Sequence, residues 1–271
     1  MASRRRRQLV AAGVVAAVAV TAFLTASGAG ASPNGGTSAT AYPRSQTLIT
    51  SGTQWGNIAG TNPYTGNYAA GMIGLDLETL LRFDPIKGRY INWLAKSAKW
   101  TGPKQFTIVV RPGVKWGDGK TFTASDVAFN LNLLRFKTSQ WNNLYLNVKT
   151  PIKNTGNTIV VTFKSTPNYV QWQNAMWNIP MISPVQAKNY IVNAASLTTY
   201  SPGNPIGTGP YRMDPKGFDP TTRVVWVKKA HWWAADQNLL PSPQPKYIID
   251  LVNTSNTNSL SAVLAGVEDL N

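Results

Sequence analysis

The chain has 271 residues, 43% of them hydrophobic and 10 of them Trp, enough for one large domain or two modest ones with a filled core. Only 14% are charged, so Asn, Thr, Ser and Gln must supply much of the polar surface, and the apolar content excludes a disordered chain. The formal net charge is +15, but beyond Arg4, Arg5, Arg6 and Arg7 no basic run is longer than Lys228-Lys229. That spread argues against nucleic acid and for unspecific attraction to an anionic cell envelope.

The four arginines precede an apolar stretch over residues 9–24, and Ala29-Gly30-Ala31 is a small-x-small cleavage signature. Residues 1–31 therefore read as an export signal that is removed, since the apolar stretch is short for a span of ~20 residues. Arg6-Arg7-Gln8-Leu9-Val10 loosely fits a twin-arginine signal, which leaves the export route open. There is no cysteine, hence no disulfide and no lipid-modified cysteine after the signal. Residues 32–44 read as a flexible spacer.

A first strand is expected at residues 45–51, "SQTLITS". The loop over residues 52–71, "GTQWGNIAGTNPYTGNYAAG", holds five Gly, three Asn and three aromatics, unusual for a plain connector. Ile73, Leu75, Leu77, Leu80 and Leu81 suggest a short helix. Phe106, Ile108 and Val110 alternate on one face of a strand. Thr123 with Asp126 forms a shortened capping box for a helix over residues 124–137, whose apolar positions are Val127, Leu131 and Leu134. Ile159, Val161 and Phe163 mark another strand, Pro180, Pro184 and Ala187 bracket a short helix start, and "TTRVVWVKK" and "KYIIDLVN" give two more strands. Leu260, Val263, Leu264 and Val267 mark a closing amphipathic helix. The class is α+β, mixed α/β without a regular βαβ series.

The chemistry of catalysis is hard to place on this chain. "GVKWGDGKTFTASDV", residues 113–127, contains Gly-Lys-Thr but has Val114 where a phosphate loop needs glycine, and Thr121-Phe122-Thr123 separate it from the helix. It reads as a tight Gly117-Asp118-Gly119 turn instead. His231 stands alone and makes no zinc site without cysteine. No Gly-x-Ser-x-Gly elbow exists. Asp76 and Glu78 are two apart, so they leave different sides of any helix, and each is expected as a solvated or salt-bridged surface group. No enzyme activity, cofactor or metal site is expected. An exported enzyme or wall-associated adhesin is the remote alternative.

Five blocks in order carry a resemblance: "LETLLRFDPIKGRYINWLAKSAKW", "FTIVVRPGVKWGDGKTFTASDVAFNLNLL", "NPIGTGPYRM", "VKKAHWW" and "LAGVEDLN". Over residues 48–271 the chain resembles the solute-binding proteins of ABC importers, in the oligopeptide/dipeptide/nickel-binding family, family 5. The resemblance implies a periplasmic-binding-protein-like type II lobe, working outside the cytoplasm with a permease and an ATPase subunit and without a cofactor. It implies a first lobe over residues 45–271, with an inserted structural subdomain at about 82–185 and a main-sheet subdomain from about 45–81 and 186–271. Gly207-Thr208-Gly209-Pro210-Tyr211 then turns the chain into the main sheet, its glycines permitting φ > 0.

Members of the family are much longer, and the sequence reads as truncated before the second lobe. The family places ligand contacts just after the first strand, which points to Trp55, Asn62, Tyr64, Asn67 and Tyr68. "QWQNAMWN" adds Trp172 and Trp177. Asn reads amide groups and aromatic rings stack on flat faces, so a peptide is the first expectation for the ligand and an oligosaccharide, of the cello-oligosaccharide kind, the second. The lone histidine disfavours nickel.

Overall fold

Two four-stranded sheets organise the computed structural model, which describes residues 42–270 apart from 55, 59 and 254. The export signal and most of the spacer lie outside the described residues. Along the chain run β1 (Thr47–Gln54), β2 (Thr61–Asn62), β3 (Asn67–Tyr68), β4 (Leu81–Asp84), β5 (Arg89–Asn92), β6 (Ala95–Gly102) and β7 (Gln105–Val110). Next come α1 (Ala124–Leu133), α2 (Asn142–Tyr145), β8 (Asn154–Thr155), β9 (Thr158–Thr162), α3 (Tyr169–Asn178), α4 (Pro184–Ala187) and α5 (Ala194–Thr199). β10 (Tyr211–Met213), β11 (Arg223–Lys228), α6 (Trp233–Asp236), β12 (Tyr247–Val252) and α7 (Asn256–Leu264) complete the order.

The first sheet has strand order β1-β12-β11-β10. β1 lies parallel to β12, with Leu48 beside Ile248, and the other pairs are antiparallel. Its strands come from both ends of the described chain. The second sheet, β6-β7-β9-β8, is antiparallel throughout and comes from the middle. Phe106, Ile108 and Val110 of β7 point inward with Ile159 and Val161 of β9, as their period of two requires. Trp172 of α3 covers them, its ring 6.3 Å from Phe106 and 5.0 Å from Phe163.

Helix α1 starts where its cap dictates. Thr123 Oγ1 accepts from the Asp126 amide while Asp126 Oδ2 accepts from the Thr123 amide. Asp126 Oδ2 also accepts from Trp116 Nε1, which ties the helix to the preceding turn. In that turn Gly119 takes φ +83°, a conformation that favours glycine, and its amide donates to the Trp116 carbonyl. The helix closes at Leu133, short of residue 137.

Three expectations are corrected. Residues 73–81 do not form a helix: a kinked turn at Met72–Asp76 has non-helical Ile73 and Gly74 (φ +106°), and extended chain then leads into β4. The apolar residues there are spaced for burial, with Leu77, Leu80 and Leu81 all in the core, and Gly74 breaks the helix. Gly207 and Gly209 are not among the positive-φ residues. They are required by close approach, because a Cβ on Gly207 would lie 1.9 Å from the Asp76 carbonyl oxygen and one on Gly209 2.4 Å from that of Leu75. The closing helix α7 turns Leu260 and Leu264 outward and buries Ser259 instead.

Candidate functional site

The helix α3 has two chemically distinct faces. Trp172, Ala175 and Met176 are buried, while Gln171, Asn174 and Asn178 recur at i, i+3 and i+7 as a polar stripe. Trp177 stands five residues from Trp172, about 140° around the helix, and is 36% exposed. Asn168 starts the helix by accepting from the Gln171 amide.

That stripe borders a groove of about 390 Å³, lined further by Tyr68, Ile73, Gln140, Trp141 and Asn143. A second groove of about 230 Å³ shares Ile73 and Asn178 with the first and is lined further by Trp177, Phe83, Arg82, Trp93 and Glu78. The Trp177 and Phe83 rings are 5.8 Å apart, and Phe83 is 5.5 Å from Tyr90, whose hydroxyl donates to Asn174 Oδ1. The Arg82 guanidinium lies 4.6 Å from the centre of the Trp93 ring. The two grooves thus form one surface of side-chain amides and aromatic rings. A larger cavity, about 940 Å³, lies where residues 45–48 meet residues 228–230 and 244–246, and none of the sequence-predicted ligand residues lines it.

Of the seven predicted residues, Tyr68 and Trp177 stand on this surface. Asn62, Tyr64 and Trp172 lie in the interior. Asn62 caps a short turn by accepting from the Tyr64 amide at 3.0 Å, and its Nδ2 donates to the Leu197 carbonyl at 2.6 Å. Tyr64 donates its hydroxyl to Asn130 Oδ1 at 2.9 Å, and its ring meets Trp141 edge-on at 5.4 Å. These residues shape the loop beneath the groove without facing it. Asn67 is placed as the backbone partner of Asn62 in the β2–β3 ladder, and Trp55 lies outside the described residues. Gln140, Asn143 and Trp141 were missed, because they sit in a segment with no helical or strand period.

Behind the surface lies a buried polar centre, which corrects the surface role expected of Asp76 and Glu78. Because Leu77 is extended (φ −92°, ψ 127°), no helix spreads the two carboxylates to different sides, and both are buried. Lys229 Nζ pairs with Asp76 Oδ1 at 3.1 Å and donates to the Gly207 carbonyl at 2.9 Å. The Gly209 amide donates to the Asp76 carbonyl at 2.7 Å. Glu78 accepts from two indoles, Trp93 Nε1 and Trp233 Nε1, each at 2.8 Å. Burial pushes the Asp76 carboxyl up to about 6, with Lys229 opposing. Burial also raises Glu78, against the bonds from Trp233 and Trp93. This centre locks the Gly207–Tyr211 segment to the chain leading into β4 and to residues 229–233, which follow β11.

Among the described residues no group of three or more His, Cys, Asp or Glu side chains is placed to hold a metal. No helix among them is long and apolar enough to cross a membrane.

Known proteins share this architecture. The mannohexaose-bound periplasmic oligopeptide-binding protein of an ABC transporter from Thermotoga maritima superposes with a TM-score of 0.76 at 25% identity, over 84% of this chain and 41% of that one. The oligopeptide-binding protein AppA from Bacillus subtilis, in complex with a nonapeptide, gives 0.68 at 19% identity, over 82% and 43%. The peptidoglycan-binding protein YepA of Agrobacterium fabrum is 26% identical over 145 residues, which are 53% of this chain and 22% of that protein. The chain therefore spans about two fifths of the length of these solved proteins. The model of the bacterial extracellular solute-binding proteins, family 5 Middle, matches residues 89–270. With the mixed α/β fold, the locked Gly-Thr-Gly turn and this match over most of its length, the chain belongs to family 5 of the bacterial extracellular solute-binding proteins.

Proposed function

We propose that the protein is the exported solute-binding component of an ABC importer and that it takes a short peptide on the surface of Tyr68, Asn174 and Trp177 for delivery to a permease and its ATPase. The observation that carries this reading is the amide stripe of α3. Gln171 to Asn178 spans seven residues of helix, or ~10 Å, the length of about three residues of extended peptide. A carboxamide offers both a donor and an acceptor, so it pairs with the N–H and C=O of a backbone irrespective of sequence. The structural neighbours named for oligopeptide binding support the same class.

An oligosaccharide is the second reading, favoured by a specific feature. Trp177, Phe83 and Tyr68 offer ring faces at a surface whose polar groups are chiefly uncharged, and a structural neighbour holds mannohexaose. Calorimetric titration with tri- to hexapeptides, and separately with manno- and cello-oligosaccharides, decides between them. Saturable heat with peptides is expected. Saturable heat with the saccharides alone would replace the first reading by the second, and heat with neither would sink both. In the same proposal residues 1–31 are removed on export, which N-terminal sequencing of secreted protein checks by a start at Ser32.

A further inference from the structure

The net charge of the described molecule is carried by one part of it. Residues 82–185, which hold the β4–β5 hairpin and the second sheet, contain fourteen Lys and Arg against Asp84, Asp118 and Asp126, a formal +11. The other described residues, within 42–81 and 186–270, contain eight Lys and Arg against eight Asp and Glu, a formal zero. All fourteen cations except Arg111 are exposed. Among the described residues only Lys120 of the fourteen is in an ion pair, with Asp118. Between Asp84 and Asp118 stand seven Lys and Arg and no acidic residue. Such an asymmetry turns the basic part of a molecule toward an anionic surface.

The β4–β5 hairpin adds an apolar apex to this basic part. Its two strands pair only with each other. In its turn Asp84 Oδ1 accepts from the Ile86 and Lys87 amides, each at 3.1 Å, and Gly88 takes φ +59°. The one carboxylate nearby is thus engaged by backbone, and Ile86 stands at the apex 92% exposed. Lys87 and Arg89 flank it, and Lys96 and Lys99 follow on β6, an edge strand of the second sheet. A lone exposed apolar side chain is ordinary. One at a hairpin tip among unpaired cations suits a lipid headgroup layer, where the cations meet phosphates and the isoleucine leaves water for the acyl boundary. A soluble anionic polymer offers the first contact but not the second. None of these five residues lines the amide-and-aromatic surface, so docking through them leaves that surface open.

We propose that the β4–β5 hairpin docks the protein on an anionic lipid surface. Ile86 enters the headgroup layer, and Lys87, Arg89, Lys96 and Lys99 pair with its phosphates. Attraction to the cell envelope is then located at one end of the molecule, with the neutral main-sheet part away from the lipid.

The test is co-sedimentation of the secreted chain with phosphatidylcholine vesicles, with and without phosphatidylglycerol. It compares the wild type, Lys87→Gln/Arg89→Gln/Lys96→Gln, Ile86→Ser, and a charge-matched control, Lys188→Gln/Lys216→Gln/Lys246→Gln, whose lysines are exposed on the neutral part. The wild type is expected to bind only the phosphatidylglycerol vesicles, and less as salt is raised. The hairpin variant is expected to bind them at least ~10-fold more weakly, and the control within ~3-fold of the wild type. Ile86→Ser is expected to bind ~3-fold more weakly. Equal losses in the hairpin variant and the control, or equal binding to both kinds of vesicle, overturns the proposal. Unchanged vesicle binding in Ile86→Ser, with soluble polyphosphate competing fully, assigns an anionic polymer instead and also overturns it. Ile86 touches no core residue at 92% exposure, so Ile86→Ser decides alone if the triple variant fails to fold.

Discussion

At the scale of single residues, the carboxylates show how context reverses a reasonable expectation. Asp76 and Glu78 look like surface groups in a chain with only 11 acidic residues. Both instead anchor buried hydrogen bonds, and the signal that could have placed them was Gly74, which ends any helix before they are reached. Their burial has a pH consequence. Asp76 titrates at about 6 in the folded state against 3.8 unfolded, so the native state holds its proton more tightly. Its stabilising contribution is present below pH about 4 and is lost as pH rises to about 6, an amount on the order of 3 kcal/mol. Glu78 is shifted in the same direction. In Asp76→Asn, chemical-denaturation stability should fall less between pH 4 and 6 than in the wild type; an unchanged slope would remove Asp76 from this role. Asp219 and Asp269 have lowered pKa values, from the Thr221 and Arg44 hydrogen bonds respectively, so their contributions are lost only as pH falls below the ordinary carboxylate range. At Gly207 the cause is space. With the Asp76 carbonyl 1.9 Å from where a Cβ would sit, Gly207→Ala must displace backbone and is expected to cost more than ~3 kcal/mol in urea denaturation. A cost within experimental error would show that the turn can shift.

At the scale of elements, α3 separates a packed face from an open one. Trp172 fills the space between Phe106 and Phe163, so Trp172→Ala should cost ~3–5 kcal/mol. Trp177 lies on the more open side, 36% exposed and against Phe83, so Trp177→Ala should cost ~1–2 kcal/mol, well below Trp172→Ala. Similar costs for the two would mean that the helix is seated differently. The sequence shows both tryptophans but not their division, since a residue type carries no direction until the helix register is known. The capping box at Thr123 was legible because its signal is local, three residues from end to end. The surrounding turn was legible for the same reason, with Gly119 at φ +83° where the glycines point to a tight turn. Gly207 and Gly209 were legible as constrained positions but not for the right cause, since close approach involves a segment some 130 residues away.

At the scale of the whole molecule, the first sheet needs β1 and β12 to meet across nearly the full described chain, and no local pattern predicts that pairing. The order of five weak blocks did carry the fold, because that order reflects the entire path and not one element. The proposed ligand surface was only half legible. Tyr68 and Trp177 could be named, whereas Gln140, Trp141 and Asn143 are brought to the same groove as α3 by tertiary packing. The proposed function requires a solute to be held on this joined surface. Titrating the ligand class identified by calorimetry into the wild type, Trp177→Ala and Asn174→Ala tests it most directly. Saturable binding that weakens at least ~10-fold in each variant is expected, with Trp177→Ala still unfolding cooperatively. Wild-type affinity retained in both variants would contradict it.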